Sequence, residues 1–190
     1  IKKKIKNGYL TSNINEENMS FVYTLSKLFK ISEKSFFKAM KSFEGLSHRF
    51  EIFLKRGNII FINDSKATSF TATESALSSL KNVYWILGGL PKRNDKLKLS
   101  KIKKNISKCY LIGKNINFFK SQIKGVINFS ISKNLKNSII QISEDLKSQK
   151  HANKFILLSP GAASFDQFEN FEKRGEEFKK LCKKYVRKFI

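Results

Sequence analysis

The stretch Asn63-Asp-Ser-Lys-Ala-Thr68 gathers an amide, a carboxylate, an ammonium and two hydroxyls directly after the apolar run Ile59–Ile62. Groups of this kind bind anions, because ammonium and hydroxyl donors form their strongest hydrogen bonds to charged oxygens. Two further stretches have the same form. Val83–Leu87 is followed by Gly-Gly-Leu-Pro-Lys-Arg-Asn-Asp95, and Phe155–Leu158 by Ser-Pro-Gly-Ala-Ala-Ser-Phe-Asp-Gln-Phe-Glu-Asn-Phe171. If each apolar run is a strand of one parallel sheet, the three carboxyl ends share an edge, where open α/β folds bind ligands. Lys66, Thr68, Lys92 and Ser164 then face a common space.

Each of these residues also has a plainer reading. Ser164 and Gln167 stand at the spacing of a capping box, so Ser164 can be an N-cap and nothing more. The amino end of such a helix would add free N–H groups and the positive end of a dipole to an anion site. Lys66 is one of 33 lysines. Asp64 can cap a helix, hold a ribose hydroxyl or hold a metal-bound water. Gly88-Gly89 can be a turn, Lys92 a solvated residue, His48 a packing histidine and Arg49 a surface ion-pair partner. Gly113-Lys114-Asn115 lacks the upstream glycine and the Ser/Thr of a phosphate-binding loop. From the residues alone the result is an α/β domain with an anion-binding sheet edge.

The elements that must position these groups follow from periodicity. Met19, Val22, Leu25, Leu28 and Phe29 recur at helical spacing between Asn15 and Lys30, and Ser32 caps a second helix carrying Phe36, Phe37, Met40 and Phe43. After Gly45 the pattern changes to short strands alternating with helices. Strands are predicted at Phe50–Leu54 and Asn58–Ile62 around an Arg56-Gly57 turn, and then at Val83–Leu87, Cys109–Ile112, Val126–Phe129 and Phe155–Leu158. Helices are predicted from a Thr71–Glu74 capping box through Leu80, over Ile116–Ile123, over Leu135–Leu146, and from about Phe168 to the C-terminus. This alternation predicts a Rossmann-like, mainly parallel, doubly wound sheet.

The chain of 190 residues carries a formal charge of +23, from 33 Lys and 5 Arg against 15 acidic residues. A basic chain is a nucleic-acid candidate on electrostatic grounds. Base and phosphate readers favour arginine for its bidentate fork, however, and here lysine is spread along the whole length. We read the charge as mostly solvated surface, and expect no nucleic-acid or membrane partner. The longest apolar runs are far too short to span a bilayer. Cys109 and Cys182 form no CxxC pattern and read as reduced thiols of a cytoplasmic protein.

Three segments together, Gly45–Glu51 (GLSHRFE), Asn63–Thr68 (NDSKAT) and Leu157–Phe178 (LLSPGAASFDQFENFEKRGEEF), resemble the Mur ligase family in its D-glutamate-adding branch. Sister Mur ligases and folylpolyglutamate synthases carry other residues where this chain has Asp-Ser-Lys-Ala-Thr. The resemblance implies an ATP- and Mg-dependent, monomeric enzyme of peptidoglycan synthesis. It would join D-glutamate to UDP-N-acetylmuramoyl-L-alanine by way of an acyl phosphate. It implies that residues 1–47 are the tail of a central ATP-binding domain and residues 48–190 the amino-acid-binding domain. By the same resemblance Lys66, Thr68, Ser164, Phe165 and Phe171 hold D-glutamate, and Lys66 and Lys92 are the catalytic candidates. Asn18, Arg49 and Asp64 approach the nucleotide, and His48 belongs to the motif. The chain departs from the family where Ile14 replaces a His, where Ser47 replaces a Pro, and where a Cys is missing before Ser164. No phosphate-binding loop is present, and the chain begins at Ile1 without a leader-like run. It is therefore expected to be part of a longer product and inactive alone, with ATP and Mg held mainly by the remainder.

Overall fold

The computed structural model describes residue 5, residue 10, residues 15–146 and residues 152–189. It divides into two compact units, Ile1–Leu46 and Ser47–Ile190. In the first, helix α1 (Glu16–Leu28) is followed by α2 (Glu33–Ser42). Ser32 caps α2 as its sequence predicts, its hydroxyl accepting the Ser35 N–H at 3.2 Å. Met19 and Phe36 are buried with Ile5 and Leu10, and Tyr23 packs edge-on against Phe36. Asn18 is exposed on α1, and Ile14 lies outside the described residues.

The second unit is built on six strands: β1 (Glu51–Arg56), β2 (Ile59–Asn63), β3 (Val83–Gly88), β4 (Ile106–Ile112), β5 (Phe129–Lys133) and β6 (Lys154–Leu158). Their order across the sheet is β1-β2-β6-β3-β4-β5. Only β1 runs antiparallel. The last strand is thus inserted between β2 and β3, so the chain crosses the sheet in both directions. Helices α3 (Phe70–Ser78) and α4 (Ile116–Ile123) cover one face, and α5 (Leu135–Leu146) and α6 (Phe171–Tyr185) cover the other.

Alternation along the strands feeds both cores. On β3, Tyr84 and Ile86 join α5 and α6, whereas Val83, Trp85 and Leu87 join α3 and α4. All six residues of β3 are buried, which explains its unbroken apolar sequence. This is the doubly wound architecture expected from the alternating pattern. Both cysteines are free and buried, and burial pushes their thiols well above the ordinary range.

Several boundaries differ from expectation for identifiable reasons. The β1–β2 turn is Gly57-Asn58, because Arg56 still pairs with Ile59. Val126 and Ile127 do not form a strand: both amides donate back to the Ile123 carbonyl as α4 ends. The strand begins at Phe129 instead, and as a half-exposed edge it carries serines that hide it from hydropathy. Thr71–Glu74 is no capping box. Ser69 is the N-cap of α3, the Asp95 carboxylate accepts the Phe70 N–H at 2.9 Å, and Glu74 accepts the Lys98 N–H.

The last helix starts at Phe171, not near Phe168, because Asn170 adopts an extended conformation and accepts the Lys173 N–H at 2.7 Å. It ends at Tyr185 and is followed by a 3₁₀ turn, Val186–Phe189; the expected continuation to Ile190 falls outside the described residues.

One position in α6 tests the packing directly. Gly175 is helical, so alanine there would ordinarily add up to about 1 kcal/mol of stability. A Cβ at that point, however, falls within contact distance of His48 Nδ1 and 3.0 Å from both polar side-chain atoms of Asn63. Overpacking of this kind costs about 1–3 kcal/mol, so the clash decides the sign. Gly175→Ala is expected to lower the urea midpoint at unchanged slope, whereas Lys180→Ala on the exposed face leaves it within error. A stabilised Gly175→Ala would show that His48 does not pack there.

Candidate functional site

The carboxyl ends of β2 and β6 lie side by side, in register up to the pair Asn63–Leu158. Their polar continuations are held by the protein itself before any ligand is considered. The Asp64 N–H donates to the Leu158 carbonyl at 2.8 Å, continuing the pairing one step beyond the strands. The Asp64 side chain turns inward, one oxygen accepting the Phe50 N–H (3.1 Å) and the other the Ser159 hydroxyl (2.8 Å). The sequence left Asp64 open as a cap or a ligand contact; both its carboxylate oxygens serve the fold. Arg49 is exposed beside it and acts on it through its charge.

Lys66 follows in the same turn. Its amide donates to the His48 carbonyl at 3.0 Å, and its ammonium sits 3.9 Å from the centre of the Phe171 ring. A cation on an aromatic face is attracted by the ring quadrupole, so Phe171 holds the ammonium at the mouth of the turn. His48 packs edge-on against the same ring at 5.9 Å. His48 itself is buried with φ +63°, and its Nδ1 lies 3.0 Å from the Asn63 amide nitrogen. Histidine here is a packing residue that shapes the Lys66 turn. Thr68 is half-buried two residues on, and the Gly161 amide donating to the Ala67 carbonyl at 2.9 Å brings the β6 loop against that turn.

Ser164 is buried, but it caps no helix. Its carbonyl accepts from the Gln167 and Phe168 amides, closing a turn that ends before α6, and the Gln167 side chain donates to Lys133 rather than back to Ser164. Phe165 is exposed. The loop after β3 joins this turn through a two-way bridge: Leu90 N–H to Ala163 carbonyl at 2.8 Å, and Ala163 N–H to Leu90 carbonyl at 3.0 Å. Lys92 is exposed just beyond it. Gly89 is required where these loops meet, since a Cβ there would strike the Ala163 carbonyl. A surface depression lined by Gly125–Phe129 lies at the amino end of β5, and none of the candidate residues lines it.

The residues that tie these loops together were not legible as functional. Arg174, on the first turns of α6, is buried and donates to the Ser65 hydroxyl, the Ser65 carbonyl and the Ala162 carbonyl. Ser65 in turn donates to the Phe171 carbonyl at 2.8 Å. The available signal was weak: Arg174 is one of 5 arginines and stands in a run of charges, Glu172–Glu177, that reads as a solvated face. Among the described residues no group of three or more His, Cys, Asp or Glu side chains could hold a metal ion.

Taken together, these loops make an α/β domain whose strand ends carry an ammonium and hydroxyls along one edge of the sheet, with the Asp64 carboxyl buried beneath them. No family model matches the chain. It is 43% identical over 141 residues to the UDP-N-acetylmuramoylalanine–D-glutamate ligase of Brucella abortus (strain 2308), covering 74% of this chain and 30% of that protein. It is 39% identical over 176 residues to the ligase of the same name from Wolbachia sp. subsp. Brugia malayi, covering 92% of this chain and 34% of that one. Among solved structures, the MurF ligase from Thermotoga maritima in complex with ADP superposes with a TM-score of 0.54 at 11% identity. The match covers 88% of this chain and 37% of that one, and the likeness concerns the fold alone. By these similarities the chain is a stretch of Mur ligase sequence. It spans about a third of the length of the curated relatives it matches.

The buried Asp64 gives the site a pH signature. Burial pushes its carboxyl up from 3.8 to about 7, against the opposing pull of the Ser159 and Phe50 hydrogen bonds and of Arg49. The folded chain therefore keeps a proton that the unfolded chain releases. Its contribution to stability falls as pH rises from about 4 to about 7, and is level above that. Asp64→Asn resembles the protonated form, and Ser159 can accept from the new amide while donating to Thr73 at 3.1 Å. We expect the variant to gain on the unmodified protein by on the order of 2–4 kcal/mol between pH 4.5 and pH 7.5 in urea melts. A gap independent of pH would mean that Asp64 is ionised in the fold.

Proposed function

We propose that this chain is the amino-acid-binding part of an ATP-dependent ligase that joins D-glutamate to UDP-N-acetylmuramoyl-L-alanine in peptidoglycan synthesis. The observation that carries the reading is the placement of the Lys66 ammonium on the Phe171 ring, between the turns after β2 and β6. It stands in a sequence 43% identical to a D-glutamate ligase over most of the chain. In this reading the enzyme is a cytoplasmic monomer with no nucleic-acid or membrane partner. No described helix is long and apolar enough to cross a membrane.

D-Glutamate brings two carboxylates and an amine. The Lys66 ammonium, the Thr68 and Ser164 hydroxyls and the Phe165 amide are donors suited to the carboxylates, and Phe171 fixes the position of the first of them. Their work is orientation: the carboxylates are held so that the amine points at the activated acyl carbon. Lys92 follows the loop bridged to Ala163, and its exposed ammonium suits the charge of the acidic co-substrate. ATP supplies the phosphoryl group that activates the alanyl carboxylate. Arg49 is exposed and suited to a nucleotide phosphate; Asn18 is assigned to the nucleotide by resemblance alone. Asp64 acts by fixing the Phe50 amide next to Arg49. The described residues offer no cluster of three or more His, Cys, Asp or Glu side chains that could hold Mg.

The test is steady-state ligation by the full-length protein that carries this chain, with D-glutamate varied. Lys66→Ala removes a charge-assisted hydrogen bond of roughly 1.5–3 kcal/mol, which predicts ~10- to 100-fold weaker use of D-glutamate with folding intact. Thr68→Val acts in the same direction and less strongly, and Lys81→Ala, exposed after α3, is silent. If Lys66→Ala leaves the D-glutamate dependence unchanged, or only unfolds the protein, Lys66 is not a substrate ligand.

A further inference from the structure

We propose that Arg174 is a positioning residue of this site, a clamp that sets the separation of the Lys66 turn from the Ser164 turn. The proposal rests on the ligase reading above and adds a residue to it. The guanidinium is 1% exposed and reaches both walls at once. Its Nε donates to the Ser65 hydroxyl at 3.0 Å. Its Nη2 donates both to the Ser65 carbonyl at 2.8 Å, next to Lys66, and to the Ala162 carbonyl at 3.0 Å, two residues before Ser164. Through the Ser65 hydroxyl the clamp extends to the Phe171 carbonyl, the residue whose ring carries the Lys66 ammonium. One side chain therefore touches the supports of Lys66, Phe171 and Ser164.

A stabilising role alone would not call for this residue. No carboxylate lies within ion-pair distance of Arg174 among the described residues; Asp166 acts on it only at longer range. Its Nη1 is buried without a hydrogen-bond partner. Burying a cation on neutral carbonyls, with one donor unpaired, costs more than an apolar side chain of the same size. What arginine supplies is a rigid planar fork that bonds two loops in fixed relative positions, which a lysine point charge cannot do. A Cβ on Gly89 would come 3.2 Å from Nη1, so the fork leaves little room for a side chain at that position. The fork acts on geometry, with no contact to substrate.

The experiment uses the full-length ligase, with KM measured separately for D-glutamate, ATP and the UDP-linked substrate. D-Glutamate-dependent turnover by the unmodified protein comes first; its absence overturns the ligase reading and this inference with it. Given turnover, Arg174→Lys keeps the charge and loses the fork. We expect the KM for D-glutamate to rise at least tenfold, with the KM for ATP unchanged. Arg174→Met is expected to do the same. Ser65→Ala removes only the hydroxyl limb, with an expected three- to tenfold rise, and is informative even if both Arg174 variants fail to fold. An Arg174→Lys enzyme with the original D-glutamate KM would show that charge, not geometry, is what the site uses, and overturns the clamp. So would a Ser65→Ala enzyme with unaltered KM values, or variants in which all three KM values rise together.

Discussion

The pairing of β2 with β6 is the constraint on which the rest of the second unit depends. These strands are 95 residues apart in sequence, from Asn63 to Leu158, yet they run parallel and in register over five residue pairs. Inserting the last strand beside the second places the turns after both at one point on the sheet edge. Beyond the last pair, the Asp64 amide bonds the Leu158 carbonyl, and its carboxylate bonds the Ser159 hydroxyl. Backbone order thus passes into side-chain order without a break. Because the two turns rest on strands buried on both faces, their positions are set by the core.

How far the sequence disclosed this arrangement depended on burial. Val83–Leu87 and Phe155–Leu158 were readable because central strands covered on two faces are unbroken apolar runs. The edge strand Phe129–Lys133 was placed too early, at Val126–Phe129, because half of it meets solvent and the nearby Val126 and Ile127 offered a more apolar decoy. The apparent capping boxes at Thr71 and Ser164 had the right spacing but the wrong registers, one residing inside α3 and the other in a turn before α6. Other acceptors decided both: the Asp95 carboxylate reaches the start of α3 from another loop, and the Asn170 side-chain oxygen caps α6 where Ser164 does not.

The polar residues divide in the same way. Lys66, Thr68 and Ser164 were conspicuous because hydroxyls and charges that follow an apolar strand break the pattern of a core. Arg174 was not, since a charged residue on an amphipathic helix ordinarily faces water. The inward turn of Arg174 is decided by Ser65 and Ala162, which lie 109 and 12 residues away along the chain. No local window contains that information. His48 is intermediate: its packing role was among the readings open from sequence, but its dependence on a side-chain-free position at Gly175 emerges only from the fold.

The buried indole of Trp85 gives this architecture a built-in optical reporter. It is the single tryptophan of the chain, fully buried in the middle of β3, and its Nε1–H donates to the Ser159 carbonyl at 2.8 Å. That carbonyl also accepts from Thr73, and the Ser159 hydroxyl reaches Asp64. The emission of one fluorophore is therefore wired to the junction of the two ligand turns, with no other indole to mask it. Any displacement of the β6 turn changes the hydrogen bond on the excited ring, so loop motion in this domain is visible in solution without a label.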